Sequence, residues 1–220
     1  MVHSPDELAE LRSLHADLAS SLPKRVDAAA IGVASKAPFK MLCLRESLAW
    51  RMEELTRGVI ECLLRNDEVA AAILARACLE NSALLWSLSA LLTSASREDA
   101  EKLDAKLMRM LMGSKRHDEL PSPIHIHDHL RAIEKDVPNF VSAYDALSEV
   151  AHPNWSGVAG HFSKPDPATY VTSFGRGLRE GLNTAQMSTN VATGALFAFN
   201  YAFNQISKEL PAFIAKLEKL

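Results

Sequence analysis

The chain is poor in cysteine, and this scarcity excludes the small proteins that disulfides or cysteine-rich metal clusters hold together. Only Cys43, Cys62 and Cys78 occur in 220 residues, and none of them lies at the spacing of a metal-ligand pair. Each falls in an apolar segment of helical periodicity, where a cysteine is typically a small buried side chain. We therefore expect free thiols in a reducing compartment, which predicts a cytoplasmic protein.

An excess of charge of either sign is also absent. The formal net charge is -3, so the chain has no general electrostatic attraction for nucleic acid or for an anionic membrane. Lys115 and Arg116 form a modest basic group in the central loop, and a solvated loop is its simpler interpretation. We expect no membrane association and no general binding of nucleic acid.

Uninterrupted hydrophobic runs and internal repeats are missing as well. The first residues include Asp6 and Glu10 and no apolar core, so no secretory signal is expected. Asn200 and Asn204 interrupt the apolar stretch from Val191 to Ile206, which predicts a buried helix of a soluble protein rather than a membrane span.

Helical periodicity is what the sequence has in abundance. Ser4-Pro5-Asp6-Glu7 has the order of an N-cap, a first-turn proline and a capping glutamate, and the leucines after it predict a first helix to about Leu22. Apolar stripes and caps further along predict helices over 41–65, 69–92, 96–112, 122–133 and 138–152, and from Asn183 or Thr184 through Ile206.

One segment departs from this pattern. Val158–Phe162 and Thr169–Phe174 are rich in β-prone residues, and they flank the turn-rich segment Ser163–Pro167. This order predicts a small hairpin or an irregular flap between about 157 and 175.

The fold class expected from these elements is all-α, a bundle of long helices with short connecting helices and a minor hairpin. No low-complexity tract or linker is long enough to divide the chain. We therefore expect one helical domain over 1–220, with an N-terminal helix and loop over 1–37 and the bundle over 38–220.

Two charged residues stand within an apolar helix. Arg76 and Glu80 lie four residues apart, so the helix places them on one face among alanine, isoleucine, leucine and cysteine. The simpler interpretation is a buried ion pair, closed by Arg57 or Glu61 of the preceding helix. The alternative is a site, because a guanidinium binds carboxylate or phosphate and a carboxylate can act as a base.

A second polar group is predicted where the helix over 138–152 ends. Pro153 disfavours the helical conformation at His152, so the helix has to stop there. The imidazole can do acid–base work or hold a ligand, or it can simply favour the helix C-terminus by its charge. The polar pocket predicted from both groups comprises Arg76, Glu80, Ser148, Glu149, His152, Asn154 and Trp155.

His125-Ile126-His127-Asp128-His129 is the densest group of potential metal ligands. On a helix, His125 and His129 share a face one turn apart, a spacing at which two imidazoles can bind one ion. Glu149, His152 or His161 could complete the set. A surface histidine cluster without metal is the simpler interpretation, so no cofactor is expected and a divalent metal is the open alternative.

The Arg76-x3-Glu80 helix and the later Ser148-x3-His152-Pro153 turn resemble the HEPN-like helical domains of bacteria, over about Met41 to Phe203. The resemblance implies an α-helical bundle, often dimeric, of stress-response, toxin–antitoxin and phage-defence systems, some members of which are metal-independent RNases. The catalytic signature of those RNases is an arginine followed after four to six residues by a histidine, and this chain does not contain it.

Residues and resemblance together favour a ligand- or partner-binding regulatory module. We expect a homodimer formed through helical surfaces, the last helix above all, and a small molecule, a nucleotide or a protein as partner. The enzyme alternative is a hydrolase, either an atypical nuclease using Arg76, Glu80 and His152 or a metal-dependent enzyme using His125, His129 and His152. A purely structural partner of another protein is the third reading.

Overall fold

The fold was analysed on a computed structural model, which describes residues 8–31, 36–94 and 100–218. Most of these residues are helical, which confirms the all-α class. The helices are α1 Ala9–Ser20, α2 Ala28–Ile31, α3 Ala37–Leu64, α4 Glu68–Ser94, α5 Ala100–Met112, α6 Ile126–Glu134, α7 Phe140–Ala151, α8 Ala159–Phe162 and α9 Thr184–Glu218. The strands β1 Ser163–Asp166 and β2 Val171–Phe174 form an antiparallel hairpin between α8 and α9.

The long helices lie close to where the apolar stripes predict them. The helices expected over 41–65 and 69–92 are α3 and α4, each a few residues longer at one or both ends. The first helix ends at Ser20, two residues before Leu22. The caps expected at Ser4 and Ser96 lie outside the described residues.

The sharp turn between α3 and α4 is built by Asn66. Its positive φ of 57° lets the Asp67 amide return to the Cys62 carbonyl at 2.8 Å, while the Asn66 amide bonds the Leu63 carbonyl at 3.1 Å. This pair of bonds is a Schellman motif, which ends α3. The Asp67 carbonyl then accepts from the Ala71 amide at 3.0 Å, so α4 begins directly after the turn.

The short helix α6 corrects one prediction. It begins at Ile126 rather than at Ser122-Pro123, and His125 is its N-cap with extended backbone angles of -68° and 136°. Arg109 donates to the carbonyl of Ser122 at 3.0 Å and to that of Pro123 at 3.2 Å. Those two carbonyls therefore serve a distant side chain instead of a helical turn.

The hairpin was predicted in the right place, but its first strand was wrong. Val158–Phe162 continues in helical turns, since the Phe162 amide bonds the Val158 carbonyl at 3.0 Å, and β1 follows it. The register pairs Ser163 with Phe174 and Asp166 with Val171. In the connecting turn the Asp166 carboxylate accepts from the Ala168 amide and the Thr169 hydroxyl, and these bonds lower the pKa of Asp166.

The chain divides into two compact units, each assembled from several segments. The described residues of unit one lie within Met1–Ala19, Met52–Leu79 and Asn139–Leu196, and those of unit two lie within Ser20–Arg51, Glu80–Pro138 and Phe197–Leu220. Unit one has a core that includes Leu11, Met52, Leu63 and Leu147, and it contains the hairpin. Unit two has a core that includes Met41, Leu85, Leu107, Ile133 and Phe199.

Within the described residues one helix has the length and composition of a membrane span. It is α4, whose mean hydropathy reaches 1.3 over Glu68–Thr93, with half of the most apolar window buried inside the protein. The core helix of a globular domain has the same properties. The composition of α4 is therefore only weak support for a membrane.

Candidate functional site

A cleft of about 1100 Å³ in unit one is the candidate site. Its volume lies just above the usual range of small-molecule pockets, about 300 to 1000 Å³. The α3–α4 turn, α8, the loop before α9 and the first turn of α9 line it. The lining residues are 66–70, Ile73, His161, Phe162, Arg176, Gly177, 179–183, Ala185 and Gln186.

Asp67 forms the charged part of the wall at the α3–α4 turn. Its Oδ2 lies 3.1 Å from Arg65 Nε, and its Oδ1 lies 2.6 Å from Arg176 Nη1. The hydrogen bond that Arg65 donates to Asp67 raises the pKa of Arg65. One carboxylate therefore serves two guanidinium groups, and the three side chains carry a net positive charge.

The Nε group of Arg179 is held in place by contacts within the protein. Nε donates to the Ser163 carbonyl at 2.8 Å, and the guanidinium carbon lies 5.5 Å from the centre of a Trp155 ring. Within the described part of the chain, Nη1 and Nη2 of Arg179 make no hydrogen bond or ion pair. The positive φ angles of Gly177, 65°, and Gly181, 80°, shape the loop on either side of this arginine.

His161 is a buried anchor of the cleft wall. Nδ1 donates to the Ser156 carbonyl, and Nε2 lies 2.9 Å from the Thr184 hydroxyl. In the neutral ring Nε2 is then the acceptor of the hydroxyl proton. Because both ring nitrogens are engaged, His161 joins the start of α9 to the turn after α7.

Arg76 has a partner that the sequence does not predict. Arg76 Nη2 donates to the Tyr144 hydroxyl at 2.7 Å, and its guanidinium carbon lies 4.7 Å from the Tyr144 ring centre. Arg57, expected to help close the Arg76–Glu80 pair, lies 3.2 Å from Glu53 and 3.8 Å from Glu61 on its own helix. Arg76 thus links α4 to α7 through an aromatic side chain.

Only some of the polar residues at the end of α7 are bonded to one another. Glu149 Oε1 accepts from Asn154 Nδ2 at 2.6 Å and from the Ser156 hydroxyl at 3.4 Å. The Ser148 hydroxyl bonds the Tyr144 carbonyl of its own helix at 2.7 Å. Glu149, Asn154 and Ser156 therefore form one network, and Ser148 stands outside it.

His152 ends α7, as its position before proline predicts. Its amide bonds the Ser148 carbonyl at 3.1 Å, its backbone is extended, and its side chain is exposed. Trp155 is 62% exposed and reaches the cleft through Arg179. Gly157 is required in this turn, because a Cβ there would lie 2.2 Å from the His152 carbonyl oxygen. Glu80 lies one helical turn beyond Arg76 on α4.

The two predicted metal ligands His125 and His129 have partners within the protein. His125 lies outside α6, its Nδ1 accepts from the His127 amide at 3.3 Å, and its ring stacks on that of His127. His129 is buried, with Nδ1 2.8 Å from the Ser87 hydroxyl. Among the described residues, no group of three or more His, Cys, Asp and Glu side chains is arranged to hold a metal ion.

Burial, with a smaller contribution from Lys106, lowers the pKa of His129 to about 4. The unfolded chain binds this proton near pH 6.5, so lowering the pH from about 6.5 to 4 favours unfolding by about 2 kcal/mol. We expect urea unfolding at about pH 7 and pH 4.5 to show this loss, and His129→Gln to flatten the pH dependence. An equal loss in the variant would contradict the prediction.

Sequence reasoning missed most of the cleft. It named His161 only as a further metal ligand, and it assigned no role to Arg176 or Arg179. The available signal was the pair of arginines among the glycines of 175–181, a combination typical of a loop that presents charge.

No protein-family model, curated protein or solved structure matches the chain. Its function is therefore inferred from the residues and geometry of its own cleft.

Proposed function

We propose that the protein is a ligand-binding regulatory module, a HEPN-like helical protein without RNase activity, and that a small molecule occupies the cleft of unit one. The observation that carries the proposal is the cleft itself, which is about 1100 Å³ in volume and is lined in part by Asp67, Arg176 and Arg179, each of which is bonded within the protein. Preorganised polar groups in a concave site favour binding, because little side-chain freedom is lost when a ligand enters.

Binding is a better account of this cleft than catalysis. Both ring nitrogens of His161 are bonded within the protein, and the Asp67 carboxylate is shared by two arginines. His161 therefore has no free ring nitrogen to act as a general base, and each oxygen of Asp67 already faces a guanidinium group. The proposal therefore assigns these residues to shaping and charging the cleft.

The proposal includes a homodimer in the cytoplasm, formed through the last helix. Phe197 and Tyr201 of α9 support it, since they are 49% and 55% exposed and stand four residues apart on one face. Exposed aromatic side chains of this kind are enriched at protein interfaces.

Filling the cleft is the test of the binding proposal. Ala70 is exposed on the first turn of α4 and lines the cleft, so Ala70→Trp should occupy the space that a ligand needs. We expect thermal-shift screening of nucleotides, sugar phosphates, organic acids, amino acids and polyamines to find a compound that raises Tm by about 5 to 10 °C at a hundredfold excess over Kd. The Ala70→Trp variant should lose this shift.

Ala90→Trp is the matched control, because Ala90 is an exposed alanine of the same helix that does not line the cleft. It should retain the full shift. Stabilisation that survives Ala70→Trp would place the ligand elsewhere and reject the proposal. Metal-independent RNA cleavage lost in His152→Ala would favour the nuclease alternative instead.

A further inference from the structure

The Nε group of Arg179 is bonded within the protein, whereas its two Nη groups are open to the cleft. The Nε bond to the Ser163 carbonyl and the Trp155 ring hold the guanidinium plane. The residue is half-buried and lines the cleft, and its two Nη groups have no partner among the described residues. Two parallel N–H donors are thus left at the cleft surface, with their orientation already set.

The neighbouring charged side chains do not neutralise the two open Nη groups of Arg179. Asp67 is engaged by Arg176 on one oxygen and by Arg65 on the other. Its negative charge is therefore already matched twice before Arg179 is considered. Glu68 and Glu180 also line the cleft, and neither forms an ion pair with Arg179 within the described chain.

We propose that the cleft binds the oxyanion of a small molecule, a phosphate or a carboxylate group, through the Nη1 and Nη2 donors of Arg179, with Arg176 as a second cation. The inference rests on the proposed binding function and adds its ligand class. A planar fork matches two oxygens of a carboxylate or phosphate, and a guanidinium stays charged at every physiological pH. A neutral or cationic ligand would leave this fork without a partner.

Trp155 has a defined part in this site. The guanidinium carbon lies over the Trp155 ring, 5.5 Å from the ring centre, and this cation–π contact restricts the arginine side chain before the ligand arrives. Asp67 has the opposite effect, because it competes with the oxyanion for Arg176. Asp67→Asn should therefore tighten oxyanion binding, and asparagine is as good an N-terminal residue for α4 as aspartate.

Calorimetric titration with two anions and their uncharged counterparts tests the inference and separates the two sources of oxyanion. The phosphate arm compares AMP with adenosine, and the carboxylate arm compares citrate with triethyl citrate. We expect at least one anion to bind about tenfold or more tightly than its uncharged counterpart, and Arg179→Gln to remove that advantage. Arg179→Lys should restore only part of it, because lysine keeps the charge and loses the fork.

Arg131→Gln is the matched control, since Arg131 is a 71% exposed arginine of α6 in unit two and its loss changes net charge equally. It should leave the affinity for the anion unchanged. Failure of both anions to bind, equal binding of charged and uncharged forms, or unchanged affinity in Arg179→Gln would each overturn the inference.

The two proposals fail in different ways. If an uncharged compound from the screen binds and Ala70→Trp blocks it, the cleft is a ligand site but the oxyanion class is wrong. If Ala70→Trp blocks no compound at all, the binding function and the oxyanion inference fall together.

Discussion

Replacing Phe199 with alanine is expected to lower the free energy of unfolding by about 3 to 5 kcal/mol. Phe199 has no exposed surface, and its ring packs 6.2 Å from that of Phe203 within unit two. The deletion removes a large buried apolar surface and leaves a cavity that the surrounding helices fill only partly. Urea unfolding should show the loss, and Tm should fall by about 6 to 20 °C.

Phe197→Ala is the matched control for this experiment. It makes the same substitution two residues earlier in α9, at a side chain that is 49% exposed. We expect it to lower the free energy of unfolding of the monomer by no more than about half as much as Phe199→Ala, because only half of the Phe197 side chain is buried. Equal losses in the two variants would show that α9 does not bury the face assigned to it.

The same two residues show how far periodicity predicts this fold. A stripe of small and branched residues predicts α9 with a start at Asn183 or Thr184, and the helix begins at Thr184. The aromatic residues at 197, 199, 201 and 203 point in several directions, from which sequence alone predicts packing on several sides. In the structure Phe199 is buried, whereas Phe197 and Tyr201 are exposed. Periodicity identifies the helix, but partners distant in sequence decide which aromatic side chain is covered.

The two wrong boundaries have the same cause. Ser122-Pro123 has the order of a helix start, yet Arg109 takes the carbonyls of both residues from outside the segment. Val158–Phe162 has β-prone composition, yet the turns that begin at Asn154 continue through it and delay β1 to Ser163. Local propensity is overruled in both places by bonds that spacing does not reveal.

The candidate site likewise contains contacts between residues close in sequence and contacts between residues far apart in sequence. The network of Glu149, Asn154 and Ser156 joins residues close in sequence, and Glu149 and Asn154 are both members of the predicted pocket. The cleft joins Asp67 to Arg176, residues more than a hundred positions apart. Such pairs depend on how the elements of unit one pack, so no local pattern predicts them.

The predicted polar group and the cleft are nevertheless connected. Trp155, expected in the pocket at the end of α7, lies against Arg179, which lines the cleft. The Ser156 carbonyl, in the same turn, accepts the His161 Nδ1 proton. The turn after α7 therefore contacts two residues of the cleft wall, Arg179 and His161. The side chain of His152, at the start of this turn, is exposed.

His161→Ala is expected to lower the free energy of unfolding by about 3 kcal/mol, because it removes a buried ring and two hydrogen bonds. It also leaves the Ser156 carbonyl and the Thr184 hydroxyl to find other partners. His161→Ala should also weaken ligand binding, because His161 joins two segments of the cleft wall. Chemical unfolding and the thermal-shift screen measure the two effects separately.

Two further variants decide whether the loss comes from the bonds of His161. His152→Ala removes an exposed histidine from the same unit and should change stability by no more than about 0.5 kcal/mol. Thr184→Val keeps the shape of the partner but deletes its hydroxyl, which should cost about 1 kcal/mol. In the His161→Ala background the Thr184 hydroxyl has lost its partner ring. Thr184→Val should therefore lower the free energy of unfolding less in that background than in the wild-type protein. Strictly additive losses would mean that the 2.9 Å contact contributes nothing, and that His161 acts through packing only.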